Sequence, residues 1–300
     1  MGVTTREGRF TGAGGADLAY VHYYNAVSLT TTPTALVYLH GIESHAAWFD
    51  VPARRLAERG YDVFCLDRRG SGINREARGL PSGHTDSYRT LLADIGAFVR
   101  TVCDRYASIV LVGLSWGGKL ALAYALECPQ HLKGLVLITP GLRSRVDLPL
   151  LSKLKVLLCS ALHPRTAFPI PIAAEMFTTT PEHLAFIRQD PLRLHRASAR
   201  FLFESWRLER FIRRRIERNR LPIQLFLAGE DRIIDNAGVQ RLLARGAQDD
   251  LDMQTYADQT HSIQFDAPDR LVNDMCRWLA QHAGPTRGET TSAPERMMAE

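Results

Sequence analysis

The chain has 300 residues, 45% of them hydrophobic and 23% charged, with a formal net charge of +5. These values exclude a disordered chain and fit one large α/β domain with an insertion. The opening MGVTTREGRF has no apolar signal core, and no window nears eighteen uninterrupted apolar residues, so the expectation is a cytoplasmic protein with neither a secretory signal nor a membrane span.

In chain order, DLAYVHYY (17–24) and TALVYLHG (34–41) read as strands, the second ending abruptly at His40-Gly41. YDVFCLDRRGSG (61–72) is a strand that stops in a charged, Gly-rich turn. YRTLLADIGAFVRTVCDRY (88–106) has helical spacing at Leu91, Leu92, Ile95, Phe98, Val99 and Val102. Ile109 to Val112 is an unbroken apolar run of the kind a central parallel strand carries when both faces are covered, and Leu120 to Leu126 reads as a buried helix. Strands at 133–140, 222–231 and 251–257, with helices at 238–246 and 268–283, complete an alternation that predicts a mostly parallel sheet with helices on both faces. The polar stretch 284–300 reads as a disordered tail.

Residues 141–220 are too long for one crossover and contain no clear strand. Their helical spacing predicts an inserted cap, with residues 1–140 and 221–283 as the core, placed at the C-terminal edge of the sheet where open α/β folds bind ligands. This segment also holds the positive charge, with 16 Lys and Arg against 7 Asp and Glu, compared with 37 and 32 in the whole chain. No RNA-binding signature accompanies it, so nucleic acid is not an expected partner. Contact of the basic cap with an anionic membrane surface, or with an acidic substrate, is the sharper expectation, and a solvated arginine face the plainer one. In the cap, Phe201, Leu202, Trp206, Leu208, Ile212 and Ile216 project to one side of a helix, and Arg207, Arg210, Arg214 and Arg218 to another. The five cysteines are scattered and lack C-x-x-C spacing, which predicts reduced thiols rather than disulfides or metal ligands, and no cofactor is called for.

Gly113-Leu114-Ser115-Trp116-Gly117 must turn from strand to helix within five residues, and small residues two before and two after the serine let a sharp turn close. A serine hydroxyl is a poor nucleophile until an imidazole takes its proton and a carboxylate orients that imidazole. Asp231 directly ends its strand and His261 follows the last one, giving the order Ser115, Asp231, His261 at intervals of 116 and 30 residues. Asp235 and Asp147 are alternatives for the acid. The developing oxyanion needs backbone donors, for which the N–H groups of Trp116 and Ile42 are the candidates.

Together, YLHGIESHAAWF, CLDRRGSGINREARG, GLSWGG, LFLAGEDRIID and ADQTHSIQFD resemble the α/β-hydrolase family, within it the monoglyceride lipase and lysophospholipase-like branch. The similarity spans roughly 8–283, and DPLRLHRASARFL resembles that branch's cap. The resemblance implies Ser115 as nucleophile, Asp231 as acid, His261 as base, Ile42 and Trp116 in the oxyanion hole, and a hydrophobic ester as substrate. Glu43 stands where the branch usually has Gly, and Trp116 where it has Met or Gln. A stripe of Leu150, Leu151, Leu154, Leu157 and Leu158 would suit an acyl chain, or would simply cover the core. Acyl transfer, aminopeptidase action with Glu43, Glu175 or Glu204 clamping an amine, and a receptor without turnover are the alternatives. His45 and Asp50 also form the H-x-x-x-x-D spacing of some acyltransferases.

Overall fold

Each central apolar run feeds two cores at once, because successive side chains of a strand point to opposite faces. The computed structural model describes residues 2–26, 34–75, 79–246 and 250–284. The core opens with β1 (Val3–Thr11), β2 (Asp17–Asn25), β3 (Thr34–Leu39), α1 (Asp50–Glu58), β4 (Asp62–Leu66), α2 (Tyr88–Val102), β5 (Ser108–Leu114), α3 (Trp116–Glu127) and β6 (Gly134–Ile138). The inserted segment carries α4 (Leu150–Leu162), β7 (Ala167–Pro169), α5 (Pro181–Gln189), β8 (Arg196–Ser198) and α6 (Ala199–Arg215). The core closes with β9 (Ile223–Ala228), α7 (Asn236–Leu243), β10 (Leu251–Tyr256), α8 (Ile263–Asp266) and α9 (Pro268–His282).

Among the described residues the main sheet runs β1-β2-β4-β3-β5-β6-β9-β10, antiparallel at β1, β2 and β4 and parallel from β4 onward. In β3, Ala35, Val37 and Leu39 join the core under α2 and α3, while Leu36 and Tyr38 join the one under α1 and α9. Strands β5, β6 and β9 divide in the same way, with Leu111, Leu137 and Leu225 on one face and Val112, Ile138 and Phe226 on the other. A sheet covered on both faces accounts for runs without polar alternation.

Four features differ from expectation. Strand β1 has no sequence signal, because VTTREGRFT carries one fully buried side chain, Phe10, and owes its place to a nine-residue antiparallel ladder with β2. Helix α1 is equally silent, since its buried positions include the small residues Pro52, Ala53 and Ala57, which give little apolar signal. The inserted segment is not all helix: β7 and β8 pair antiparallel within it, although three-residue strands leave no periodicity to read. The leucine stripe of α4 does not cover the core. Leu150, Leu151, Leu154, Leu157, Leu158 and Leu162 are 53–81% exposed, and the buried positions of the helix are Val156 and Ser160. Apart from Gly284, the expected tail at 284–300 lies outside the described residues.

Helix α6 also corrects its projection. Its buried stripe is Phe201, Leu208, Phe211 and Ile212 with Glu204, and Trp206 lies off it, 56% exposed beside Phe203 and Arg210. Arg210, Arg213 and Arg214 are exposed, whereas Arg207 is tied to Glu204 at 2.8 Å.

Candidate active site

Ser115 has φ 50° and ψ −120°, a conformation that costs a residue with a Cβ and persists only where its surroundings enforce it. Its N–H donates to Ile138 O at 2.9 Å, and its carbonyl accepts from Gly118 N at 2.9 Å and Gly141 N at 2.7 Å. The flanking glycines permit the close approach of α3 to the strand ends. A Cβ on Gly117 would fall 2.0 Å from Leu39 O, and one on Gly113 2.7 Å from the Cα of Gly118. The elbow therefore presents Ser115 at the N-terminus of α3, where the N–H of Trp116 has no partner in its own helix.

The acid and base candidates form one buried unit. His261 Nδ1–H donates to Asp231 Oδ2 at 2.8 Å, and Asp231 Oδ1 accepts the N–H groups of Ile233 at 2.8 Å and Ile234 at 2.9 Å. That arrangement fixes the tautomer, leaving the lone pair on Nε2. His261 Nε2 is buried with no hydrogen-bond partner, so the bond between Ser115 and His261 is not closed in this structure. The rival acids lie elsewhere: Asp235 caps α7 by accepting from Gly238 N at 3.1 Å, and Asp147 is exposed and paired with Lys153. Among the other histidines, His22 pairs with Asp62 and His183 with Asp266, while His195 is exposed.

Thr139, absent from the sequence-based candidates, links the two halves of the site. Directly after Ile138, which binds Ser115 N, Thr139 takes φ 39° and donates its hydroxyl to His261 O at 3.0 Å. On the cap side, Phe177 O accepts from Ser262 N at 2.8 Å and from Thr260 Oγ1 at 3.0 Å, and the Phe177 ring meets His261 edge-on. A Thr at the end of a strand has no sequence signature for this role.

The oxyanion candidate Ile42 sits on a loop held by Arg68. Its guanidinium donates to Gly41 O at 3.1 Å, Ile42 O at 2.9 Å and Ser71 Oγ at 2.5 Å, and it lies 4.9 Å from the centroid of Trp116. His40 Nε2 accepts from Arg68 N at 3.0 Å and Nδ1–H donates to Gly41 O at 2.8 Å, an arrangement that needs a neutral ring. Burial, reinforced by Arg68, holds the His40 pKa well below its usual value. Because C=O and N–H of a trans peptide point in opposite directions, pinning Gly41 O aims the N–H of Ile42 away from Arg68. Burial also pushes Arg68 down to about 9. The sequence shows only a charged turn here; β4 must lie beside β3 before Arg68 can reach the loop.

The same loop is latched to the cap. Glu43 pairs with Arg193 at 2.7 Å, both buried, and Glu43 O accepts Leu194 N at 2.9 Å. Burial pushes the Glu43 carboxyl up to about 7, against the pull of Arg193. His45 pairs with Asp190 rather than with Asp50, which binds Tyr23 and Arg54. All three candidate amine clamps are committed to arginines: Glu43 to Arg193, Glu175 to Arg188, and Glu204 to Arg207. Trp116, next to the elbow serine, stacks on Phe201 at 4.9 Å and donates to Ser205 Oγ at 2.8 Å, which packs α6 against the start of α3.

A mostly parallel sheet with a strained strand–serine–helix elbow and an inserted helical segment defines an α/β-hydrolase. Residues 31–268 match the family model described as serine aminopeptidase, S33, and the chain belongs to that family. It is 26% identical over 293 residues to the monoacylglycerol lipase of Mycolicibacterium smegmatis, covering 93% of this chain and 98% of that one. Identity to the monoglyceride lipase of Rattus norvegicus is 26% over 263 residues, 83% of each chain. Among solved structures, a soluble variant of the Saccharomyces cerevisiae monoglyceride lipase, in complex with a substrate analog, superposes with a TM-score of 0.80. Its identity is 20%, over 94% of this chain and 96% of that one. The Paleococcus ferrophilus monoacylglycerol lipase gives 0.77 at 20% identity, over 88% and 99%. These two likenesses speak to the fold.

Proposed function

We propose that the protein hydrolyses carboxylic esters of hydrophobic acyl chains, of the monoacylglycerol type, through an acyl-enzyme on Ser115. The observation that carries this reading is the buried Asp231–His261 pair, with its free lone pair on Nε2, at the same edge of the parallel sheet as a serine at a strained elbow. His261 takes the Ser115 proton as Oγ attacks the ester carbonyl, then returns it to the departing alcohol; a water activated by the same nitrogen releases the acid. The N–H groups of Ile42 and Trp116 receive the oxyanion. Relatives named as monoacylglycerol lipases support the glycerol ester, and arginine-bound Glu43, Glu175 and Glu204 argue against an amine clamp. The purified protein is expected to label on Ser115 with a fluorophosphonate and to turn over monoacylglycerols and p-nitrophenyl esters of two to sixteen carbons. A folded protein that neither labels nor turns over is a receptor; faster cleavage of aminoacyl anilides than of esters makes it a peptidase.

We also propose that the cap meets an anionic membrane. No helix among the described residues is long and apolar enough to cross one. The exposed leucines of α4 share its surface with Lys153 and Lys155, and α6 adds exposed Arg210, Arg213 and Arg214. Apolar side chains flanked by cations fit a lipid interface, where each basic residue near acidic headgroups contributes about 1 kcal/mol, screened by salt. In liposome co-sedimentation, binding is expected to need acidic lipid, to weaken with salt and to fall on changing Arg210, Arg213 and Arg214 to Gln. Equal binding to neutral and anionic vesicles, or none to either, overturns this contact and leaves the hydrolase reading intact.

A further inference from the structure

Ser44 carries a hydroxyl that no interaction accounts for. Its side chain is 3% exposed, and Oγ has no hydrogen-bond partner. Buried hydroxyls are nearly always satisfied, and an unsatisfied one calls for an explanation, of which a catalytic role is one.

The geometry around Gly41 locates the gap this hydroxyl faces. Ser44 Oγ lies 3.1 Å from the point a Cβ on Gly41 would occupy, and Ser115 Cβ and Oγ lie 3.4 and 3.8 Å from the same point. The two hydroxyls thus border one space, which a glycine leaves open. The next residue after Gly41 is Ile42, whose N–H is the loop's candidate oxyanion donor. The chain on either side of Ser44 is held firmly. Glu43 is bound through its carboxylate and its carbonyl to Arg193 and Leu194, His45 to Asp190, and Ala46 N to Asp67 at 2.7 Å. A fixed backbone carrying one unspent donor is the arrangement that stabilises developing charge without reorganisation.

We propose that the Ser44 hydroxyl is a third donor to the oxyanion, joining the N–H groups of Ile42 and Trp116; the inference rests on Ser115 being the nucleophile. When Ser115 Oγ bonds to the ester carbon, the carbonyl π pair moves onto oxygen and the Ser115 proton goes to His261 Nε2. Ser44 donates a hydrogen bond to that oxygen and keeps its own proton. On collapse the pair re-forms the C=O, the C–O bond to the alcohol breaks, and the alcohol leaves with the proton from His261. Ser44 therefore acts on the transition state more than on the bound ester.

The test compares wild type, Ser44→Ala and Ser44→Thr in the full-length protein. Ser44→Ala is expected to lower kcat for p-nitrophenyl butyrate about 100-fold, the scale of one oxyanion donor, with KM changed less than about threefold. Ser44→Thr, which keeps the hydroxyl, is expected to recover at least a tenth of wild-type kcat. The Ki of a long-chain trifluoromethyl ketone, whose hemiketal carries the oxyanion, should rise with the loss of kcat/KM in Ser44→Ala. Circular dichroism and the thermal midpoint establish that each variant is folded. If Ser115 labels with a fluorophosphonate and folded Ser44→Ala keeps kcat within threefold of wild type, the Ser44 role is wrong and the serine-hydrolase reading stands. A rise in KM with kcat unchanged also overturns it, since the hydroxyl then serves substrate binding. A folded wild type that fails to label at Ser115 overturns both.

Discussion

Replacing Ser115 by Ala is expected to lower kcat by about a thousandfold or more while the protein stays folded. The loss is large because nucleophile, base and acid act as a unit. The fold survives because alanine keeps the Cβ, so the strain at φ 50° is unchanged, and the backbone bonds from Ile138, Gly118 and Gly141 do not involve the hydroxyl. Steady-state kinetics on a p-nitrophenyl ester together with the thermal midpoint check both halves. A folded Ser115→Ala protein that retained more than a few percent of wild-type kcat would place the nucleophile elsewhere.

Asp231→Asn is expected to reduce kcat by about 10³- to 10⁴-fold, and Asp235→Asn to leave it nearly unchanged. Asp231 Oδ1 is claimed by the N–H groups of Ile233 and Ile234, so an asparagine keeps its carbonyl oxygen there and turns its NH₂ toward His261. Two donors would then face each other, and the imidazole must move its proton from Nδ1 to Nε2, which removes the lone pair proposed to take the Ser115 proton. Asp235 is a fair control, because asparagine caps a helix about as well as aspartate and the cap on α7 is retained. The reverse ranking would move the acid role to Asp235.

How much of the protein is legible in its sequence depends on how local each feature is. The buried strands at 34–39, 108–114, 134–138 and 223–228 can be read because a short apolar run without alternation is the pattern that a doubly covered strand requires, and the helix at 88–102 because its apolar spacing is regular. Edge strand β1 cannot, since it is defined by a ladder to a partner and not by its own side chains. A helical projection puts Trp206 on the wrong face because it sorts by residue type, while the actual stripe of α6 follows what the core beneath it accepts.

The site divides along the same line. Ser115, Asp231 and His261 can be named from chain order, because a strand-ending turn is a local property and the elbow needs glycines at set positions. Pairing Asp231 with His261 requires β9 and β10 to lie side by side in parallel, which puts their ends at one edge. Arg68, Thr139, Arg193 and the orphaned Ser44 become visible only in three dimensions. They act through a few hydrogen bonds, or a missing one, between segments up to 150 residues apart, as Glu43 and Arg193 are. Local sequence determined which residues are candidates for the chemistry, because turn geometry and burial are written within a few positions. The tertiary structure decided which groups face them, because hydrogen bonds act over about 3 Å whatever the separation along the chain.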